Sequence, residues 1–267
     1  MIIMAHGFSG VKEMGLPELA EKYADAGYGV LLFDYRFFGS SVGEPRGQLF
    51  PLEMVEDYRD AISWACCHPQ LDPDRIRLWG TSFSRGLAVY AATHDKRVKA
   101  VVVQVPGLWS GAERSAAKPE RWEQVARLLQ PDHTERYKTG QINYIKVVAA
   151  EGEPCVLPGA EPYQAYMSLK EIAPTWRNEI TIESLEKVRE FDPITHTKMM
   201  SPAALLVIAA ENDSLVQITT VRAAFEKAAE PKKLVVHPVG HFDFYVDPGL
   251  STTAVEAIEW YDQHLRQ

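Results

Sequence analysis

Residues 75–86 read Arg75-Ile-Arg-Leu-Trp-Gly-Thr-Ser-Phe-Ser-Arg-Gly86, an apolar run of strand length that passes through Gly80-Thr81-Ser82 into a second apolar stretch of helical period. A strand that turns sharply into a helix pushes one side chain out at the carboxyl end of a sheet, and crowding there demands small residues two positions before and after it. Gly80 and Ser84 meet that demand around Ser82. The helix start also aims backbone N–H groups and a positive dipole at the apex, where an oxygen gaining negative charge is stabilised. Ser84 could be centred in a frame of its own, with Ser82 two before it and Gly86 two after. The strand separates the two. Residues 76–79 are the last apolar stretch, so Ser82 stands at the apex, and Ser84 falls in the first helical turn, where its hydroxyl is expected to cap.

Working outward, strand-length apolar runs recur at residues 1–5, 29–33, 75–79, 100–105, 203–209 and 233–237. Between them, residues 16–26, 52–68, 84–94, 219–229 and 251–265 have amphipathic spacing and are bounded by Gly, Pro, Asp or Ser. The alternation predicts an α/β fold with a doubly wound, mostly parallel sheet. One interval breaks the rhythm: residues 107–201 contain no convincing strand, far beyond the usual connection of about 2 to 6 residues. It is expected to be an inserted helical cap, with helices at 119–130, 160–170 and 182–189, dividing a core made of residues 1–106 and 202–267. Its rings include Trp109, Trp122, Tyr166 and Trp176, which are expected to contribute to a substrate pocket, although the plainer role for any single ring is the cap's own core.

Composition narrows the partners. With 28 Lys plus Arg against 36 Asp plus Glu, the formal charge of −8 offers no basic footprint for nucleic acid or anionic lipid. No apolar run approaches the roughly 20 residues that cross a bilayer, and the chain does not open with a basic and apolar signal pattern, so a cytoplasmic location without membrane contact is expected. Three cysteines, two of them adjacent at Cys66 and Cys67, make no disulfide framework and fit a reducing compartment. Cys66-Cys67 lacks partners at metal-ligand spacing and lies in a segment of helical period, so buried small side chains are the expected role. His237 and His241 are four apart but straddle a strand end and a turn, which does not make a zinc pair. No phosphate loop or dinucleotide fingerprint occurs, and neither a metal nor a cofactor is implied.

The combination of His6-Gly7-Phe8, then Asp34-Tyr35-Arg36 with Gly39 and Ser41, then Gly80-Thr81-Ser82-Phe83-Ser84, resembles the α/β-hydrolase superfamily. Within it, the pattern is similar to a branch of microbial esterases and fungal polyketide-processing hydrolases and acyl transferases. The resemblance covers the sheet and its loops but not the cap. It implies an oxyanion hole made by the backbone N–H groups of Phe8 and Phe83. It also implies a catalytic triad in the chain order Ser, acid, His: Ser82, then Asp213 after the run 203–210, then His241 after Pro238-Val239-Gly240. Glu211 is the competing carboxylate. A serine hydroxyl is a weak nucleophile until a base takes its proton, and a neutral imidazole held by a carboxylate suits that task. Taken singly, Asp213 is as well read as a turn former and His241 as a surface imidazole; their succession at strand ends is what carries the assignment.

Two departures from the pattern bear on this. Ser84 stands where the elbow usually has Gly, and Arg85 occupies a site that is often small, where it is expected either to be solvated or to reach an acid of the cap. The chain also opens directly with the segment resembling the superfamily's third strand, so the first strand pair is expected to be missing and residues 29–33 to form a sheet edge. A lost upstream segment and a covering partner, such as a second copy in a homodimer, both remain open. The function implied is acyl transfer to water through a seryl ester, on a small ester or thioester with an apolar or polyketide-like acyl group. Transfer to another acceptor by the same triad, and a non-catalytic binding role on the same fold, are the alternatives. Peptide cleavage is not expected, for want of a further substrate-docking domain.

Overall fold

The computed structural model describes residues 1–107, 119–193, 197–200 and 202–264. Six strands, β1 (Ile2–Ala5), β2 (Val30–Phe33), β3 (Ile76–Thr81), β4 (Val98–Gln104), β7 (Ala204–Ala210) and β8 (Lys232–His237), form one all-parallel sheet in the order β2-β1-β3-β4-β7-β8. The central strands β1, β3, β4 and β7 are near-continuous runs of buried residues, as strands covered on both faces must be. Their side chains alternate into two cores. Ile3, Leu78, Val101, Val103, Leu205 and Val207 pack beneath α2 (Pro51–Cys67) and α3 (Ser84–His94). Ile2, Met4, Trp79, Val102, Leu206 and Ile208 pack beneath α1 (Leu16–Asp25) and α8 (Gly249–Gln263). The last crossover helix, α7 (Ile218–Lys227), joins β7 to β8.

Strand β2 closes one end of the sheet, and its four residues are only half-buried, as the sequence implied for an edge. Between β4 and β7 lie the helices α4 (Pro119–Thr139), α5 (Ala160–Lys170) and α6 (Ile182–Glu190). Two features here differ from expectation. The helix beginning at 119 runs through Pro131 to Thr139 rather than ending at 130. Its second half is tied down by tertiary bonds: buried Asp132 accepts from Arg136 and Asn143, and Arg136 reaches Glu183 on α6 at 2.8 Å. Those bonds outweigh the local cost of an interior proline. A two-residue antiparallel ladder, β5 (Tyr144–Ile145) with β6 (Ile180–Thr181), was also not expected, being too short to leave a periodic signal.

Candidate active site

Ser82 follows β3 with φ 51°, the left-handed region that non-glycine residues enter only when the surroundings enforce it, at a cost of about 1–3 kcal/mol. Its N–H donates to Gln104 O on β4 at 2.9 Å, which pins the turn to the neighbouring strand. A Cβ on Gly80 would lie 2.9 Å from the backbone of Arg85, and one on Gly7 would lie 3.2 Å from Ser82 Cβ. The first contact explains why the strand must reach the turn through glycine. The second shows how closely the 6–9 loop passes the serine.

Ser84 corrects its expected role. Its side chain is fully buried and caps nothing; the residue at the N-cap is Phe83. Tyr58 donates to Trp79 O at 2.9 Å, so Ser84 must donate to Tyr58 at 2.9 Å and accept from Tyr35 at 2.7 Å. This closed relay lies inside the protein, away from the cavity that Ser82 lines. Arg85 is not solvated either. It is buried, lines the cavity and donates through Nη1 to the carbonyl of Ser82.

His241 Nδ1 donates to Asp213 Oδ2 at 2.7 Å, with both side chains almost entirely buried. The other oxygen, Oδ1, accepts the N–H groups of Leu215 and Val216 at 2.8 Å each, so the carboxylate is held from both sides. A proton fixed on Nδ1 leaves Nε2 as the basic nitrogen. Tyr245 stacks on the imidazole and donates or accepts a 2.7 Å bond with Thr81, while Phe242 meets it edge-on at 4.9 Å. Glu211, the rival acid, is exposed, and its N–H is bonded to His237 O. Ser82 and His241 line one cavity of about 990 Å³, with no hydrogen bond between them in the resting protein.

The N–H groups of Phe8 and Phe83 donate to no other group among the described residues, and both residues line the same cavity. Their rings meet edge to face at 5.7 Å. Three successive carbonyls behind this loop are each held by a donor: Gly7 O by His6 Nδ1 at 3.1 Å, Phe8 O by Tyr166 at 2.6 Å and Ser9 O by Trp176 Nε1 at 2.8 Å. In a planar trans peptide the C=O and N–H point oppositely, so holding Gly7 O on one side directs Phe8 N–H to the other. His6 can donate from Nδ1 because Nε2 accepts from Tyr35 N–H, and burial pulls its pKa from 6.5 down to about 4, which keeps the ring neutral. Burial tends to raise the pKa of neighbouring Asp34, but the N–H groups of Lys12 and Ser40, with the charge of Lys12, leave it below its ordinary value.

Of the four rings expected in the pocket, Trp122 and Tyr166 line the cavity. Trp176 does not: it is buried behind the 6–9 loop against Tyr166, 5.6 Å between ring centres, because its indole N–H seeks the Ser9 carbonyl. Trp109 lies outside the described residues. Sequence reasoning passed over Tyr245 and Arg121, both of which line the cavity. Only the spacing of Tyr245, four residues after His241, offered any hint. Among the described residues, no group of three His, Cys, Asp or Glu side chains is placed to hold a metal, and no helix is long and apolar enough to cross a membrane.

A parallel sheet with a serine at the turn after its central strand, and a buried His–carboxylate pair beside it, defines an α/β-hydrolase, a hydrolase or acyltransferase enzyme. The chain belongs to the X-Pro dipeptidyl-peptidase (S15) family, whose sequence model matches residues 7–243. Among curated relatives, the thiohydrolase aneE of Aspergillus aculeatus is 30% identical over 240 residues, 87% of this chain and 75% of that protein. The quorum-quenching protein AidA of Acinetobacter baumannii is 27% identical over 261 residues, 97% and 85% of the two chains. The crystal structure of the α/β hydrolase GrgF from Penicillium sp. superimposes with a TM-score of 0.86 at 25% identity, covering 100% of this chain and 90% of that one.

Proposed function

We propose that the protein cleaves esters or thioesters of apolar or polyketide-like acyl groups through an acyl-Ser82 intermediate. The observation that carries this reading is the Asp213–His241 pair, fixed at both carboxylate oxygens and sharing a largely apolar cavity with a serine held at positive φ. In the proposed sequence, Ser82 Oγ bonds to the acyl carbon as its proton passes to His241 Nε2. The resulting oxyanion sits between the N–H groups of Phe8 and Phe83. The C–O or C–S bond then breaks, the leaving group takes the proton from His241, and water attacks the seryl ester with His241 again as base. The relative named a thiohydrolase supports the thioester arm.

Transfer of the acyl group to a second organic acceptor uses the same steps. The volume of the cavity favours keeping it as a second reading, as does the likeness to a fungal protein named polyketide transferase grgF. Residues 107–201 are read as the cap that selects the acyl group, with Trp122 and Tyr166 in its pocket, and the substrate as a small molecule requiring no cofactor. Three free cysteines support a reducing, cytoplasmic setting. The test is intact-mass measurement after exposure to a panel of activated esters, acyl thioesters and an X-Pro anilide. A mass increase equal to one acyl group, absent in Ser82→Ala, supports the reading; adducts that persist in Ser82→Ala would overturn it, and no adduct with any probe would favour a binding protein.

A further inference from the structure

The cavity that holds Ser82 and His241 also holds a cation with no carboxylate partner among the described residues. Arg121 stands in the first turn of α4 and lines the cavity. It uses one of its five N–H donors, Nη2 to the carbonyl of Val156. The other charges around the cavity are accounted for. Arg85 donates to Ser82 O, Arg127 is largely exposed and faces Glu123 at 3.9 Å, and Glu120, exposed at the rim of the cavity, makes no ion pair with Arg121. Glu153, the acid that directly precedes residues 154–158 in the sequence, is engaged by Lys146 at 2.7 Å. The guanidinium lies by Val156 and Cys155, and the stretch of cavity wall that carries them, residues 154–158, has no charged side chain.

A guanidinium withdrawn from water is costly unless it is paired, and its planar fork matches a carboxylate or phosphate with two parallel bonds. Burial lowers the pKa of Arg121, the direction expected of a cation short of a counter-ion. We infer that Arg121 is an anion-binding residue of the substrate cavity, and that the substrate is an acyl ester or thioester carrying a carboxylate or phosphate that Arg121 takes. This deepens the acyl-Ser82 reading and rests on it. Two sources supply such a group: a carboxylate at the far end of the acyl chain, or the phosphates of a carrier thiol.

Steady-state kinetics on two matched pairs separates them. The first pair is p-nitrophenyl hexanoate against the p-nitrophenyl monoester of adipate; the second is hexanoyl-N-acetylcysteamine against hexanoyl-coenzyme A. In the wild type, kcat/KM is expected to favour the anionic member of one pair, and that pair names the source. Arg121→Gln should cut the preference about 10- to 100-fold, mainly through KM, the range expected for one charged hydrogen bond. Arg121→Lys should restore part of it. No preference in either pair, or an equal fall for neutral and anionic members in Arg121→Gln, overturns the assignment in favour of a purely structural bridge to Val156. Calorimetry of adipate and coenzyme A binding to Ser82→Ala protein, with and without Arg121→Gln, reads the site without turnover. Weaker binding of one of them in the double variant supports it and unchanged binding sinks it, even if no probe ever acylates Ser82.

Discussion

The carboxyl rim of the sheet and the segment inserted between β4 and β7 contribute to the same cavity by different physical means. At the rim, backbone constraints position Ser82 and Asp213. Ser82 is held at positive φ by its bond to Gln104 O, Gly80 leaves no room for a side chain, and Asp213 is gripped by two consecutive amides. In the insertion, side chains do the positioning: Tyr166, Trp122 and Arg121 line the cavity, and Trp176 holds the 6–9 loop from behind. In the proposed function the rim fixes where bonds break. The insertion, in the same reading, fixes which molecule is there when they do.

The sharpest way to break this division is to remove the proposed nucleophile. Ser82→Ala should lower kcat by several orders of magnitude, up to ~10⁶, while leaving ligand binding in the cavity measurable. Substantial residual turnover would move the chemistry away from the rim.

Acid provides a second probe, because His6 supports the rim only while neutral. Its folded pKa, about 4, lies below the unfolded 6.5, so as pH falls the unfolded chain takes the proton first. Its stabilising contribution is present above pH 6.5 and drains away on acidification to about pH 4, about 3 kcal/mol in all. Chemical denaturation at stepped pH should show a shallower acid slope in His6→Asn than in the wild type; parallel slopes would mean that the ring is not held neutral.

Ser84→Ala tests the two serines against each other. It leaves Tyr35 without its buried acceptor, so a loss of about 1–3 kcal/mol is expected with the acyl adduct on Ser82 intact. A folded Ser84→Ala protein that no longer acylates would reverse the assignment. The smallest effect belongs to the insertion. Trp122→Ala should change relative kcat/KM along a series of straight-chain esters by about 10-fold, on the scale of one or two methylene contacts. A uniform decrease at every chain length would show that this wall does not select.

The same division explains what the sequence disclosed. The strand runs, the Gly80-Thr81-Ser82 turn, Asp213 and His241 were readable because each obeys a local rule: apolar runs of fixed length, small residues at a crowded bend, polar residues at strand ends in a set order. Ser84 was misread because its partners, Tyr35 and Tyr58, lie 49 and 26 residues away, and burial against them displaced the local role of helix cap. Trp176 was misplaced for a similar reason, since its indole N–H bonds a carbonyl 167 residues distant. Arg121 was unreadable. On sequence alone, a charged residue in the first turn of a helix is a solvated one, and only the packing of α4 against residues 154–158 turns it inward.

The grip of Tyr166 and Trp176 on the carbonyls of Phe8 and Ser9 also bears on how such enzymes can be re-engineered. Exchanging the whole insertion for that of a relative looks like a modular way to change substrate range, since Ser82, Asp213 and His241 lie outside the exchanged segment. In this protein it is not modular. The graft would carry away two of the three donors that orient the loop presenting the Phe8 N–H, and a chimera could bind its new substrate well and still turn over slowly. Recruits that keep a phenol and an indole at these two positions are the ones in which a borrowed pocket and the resident machinery should remain compatible.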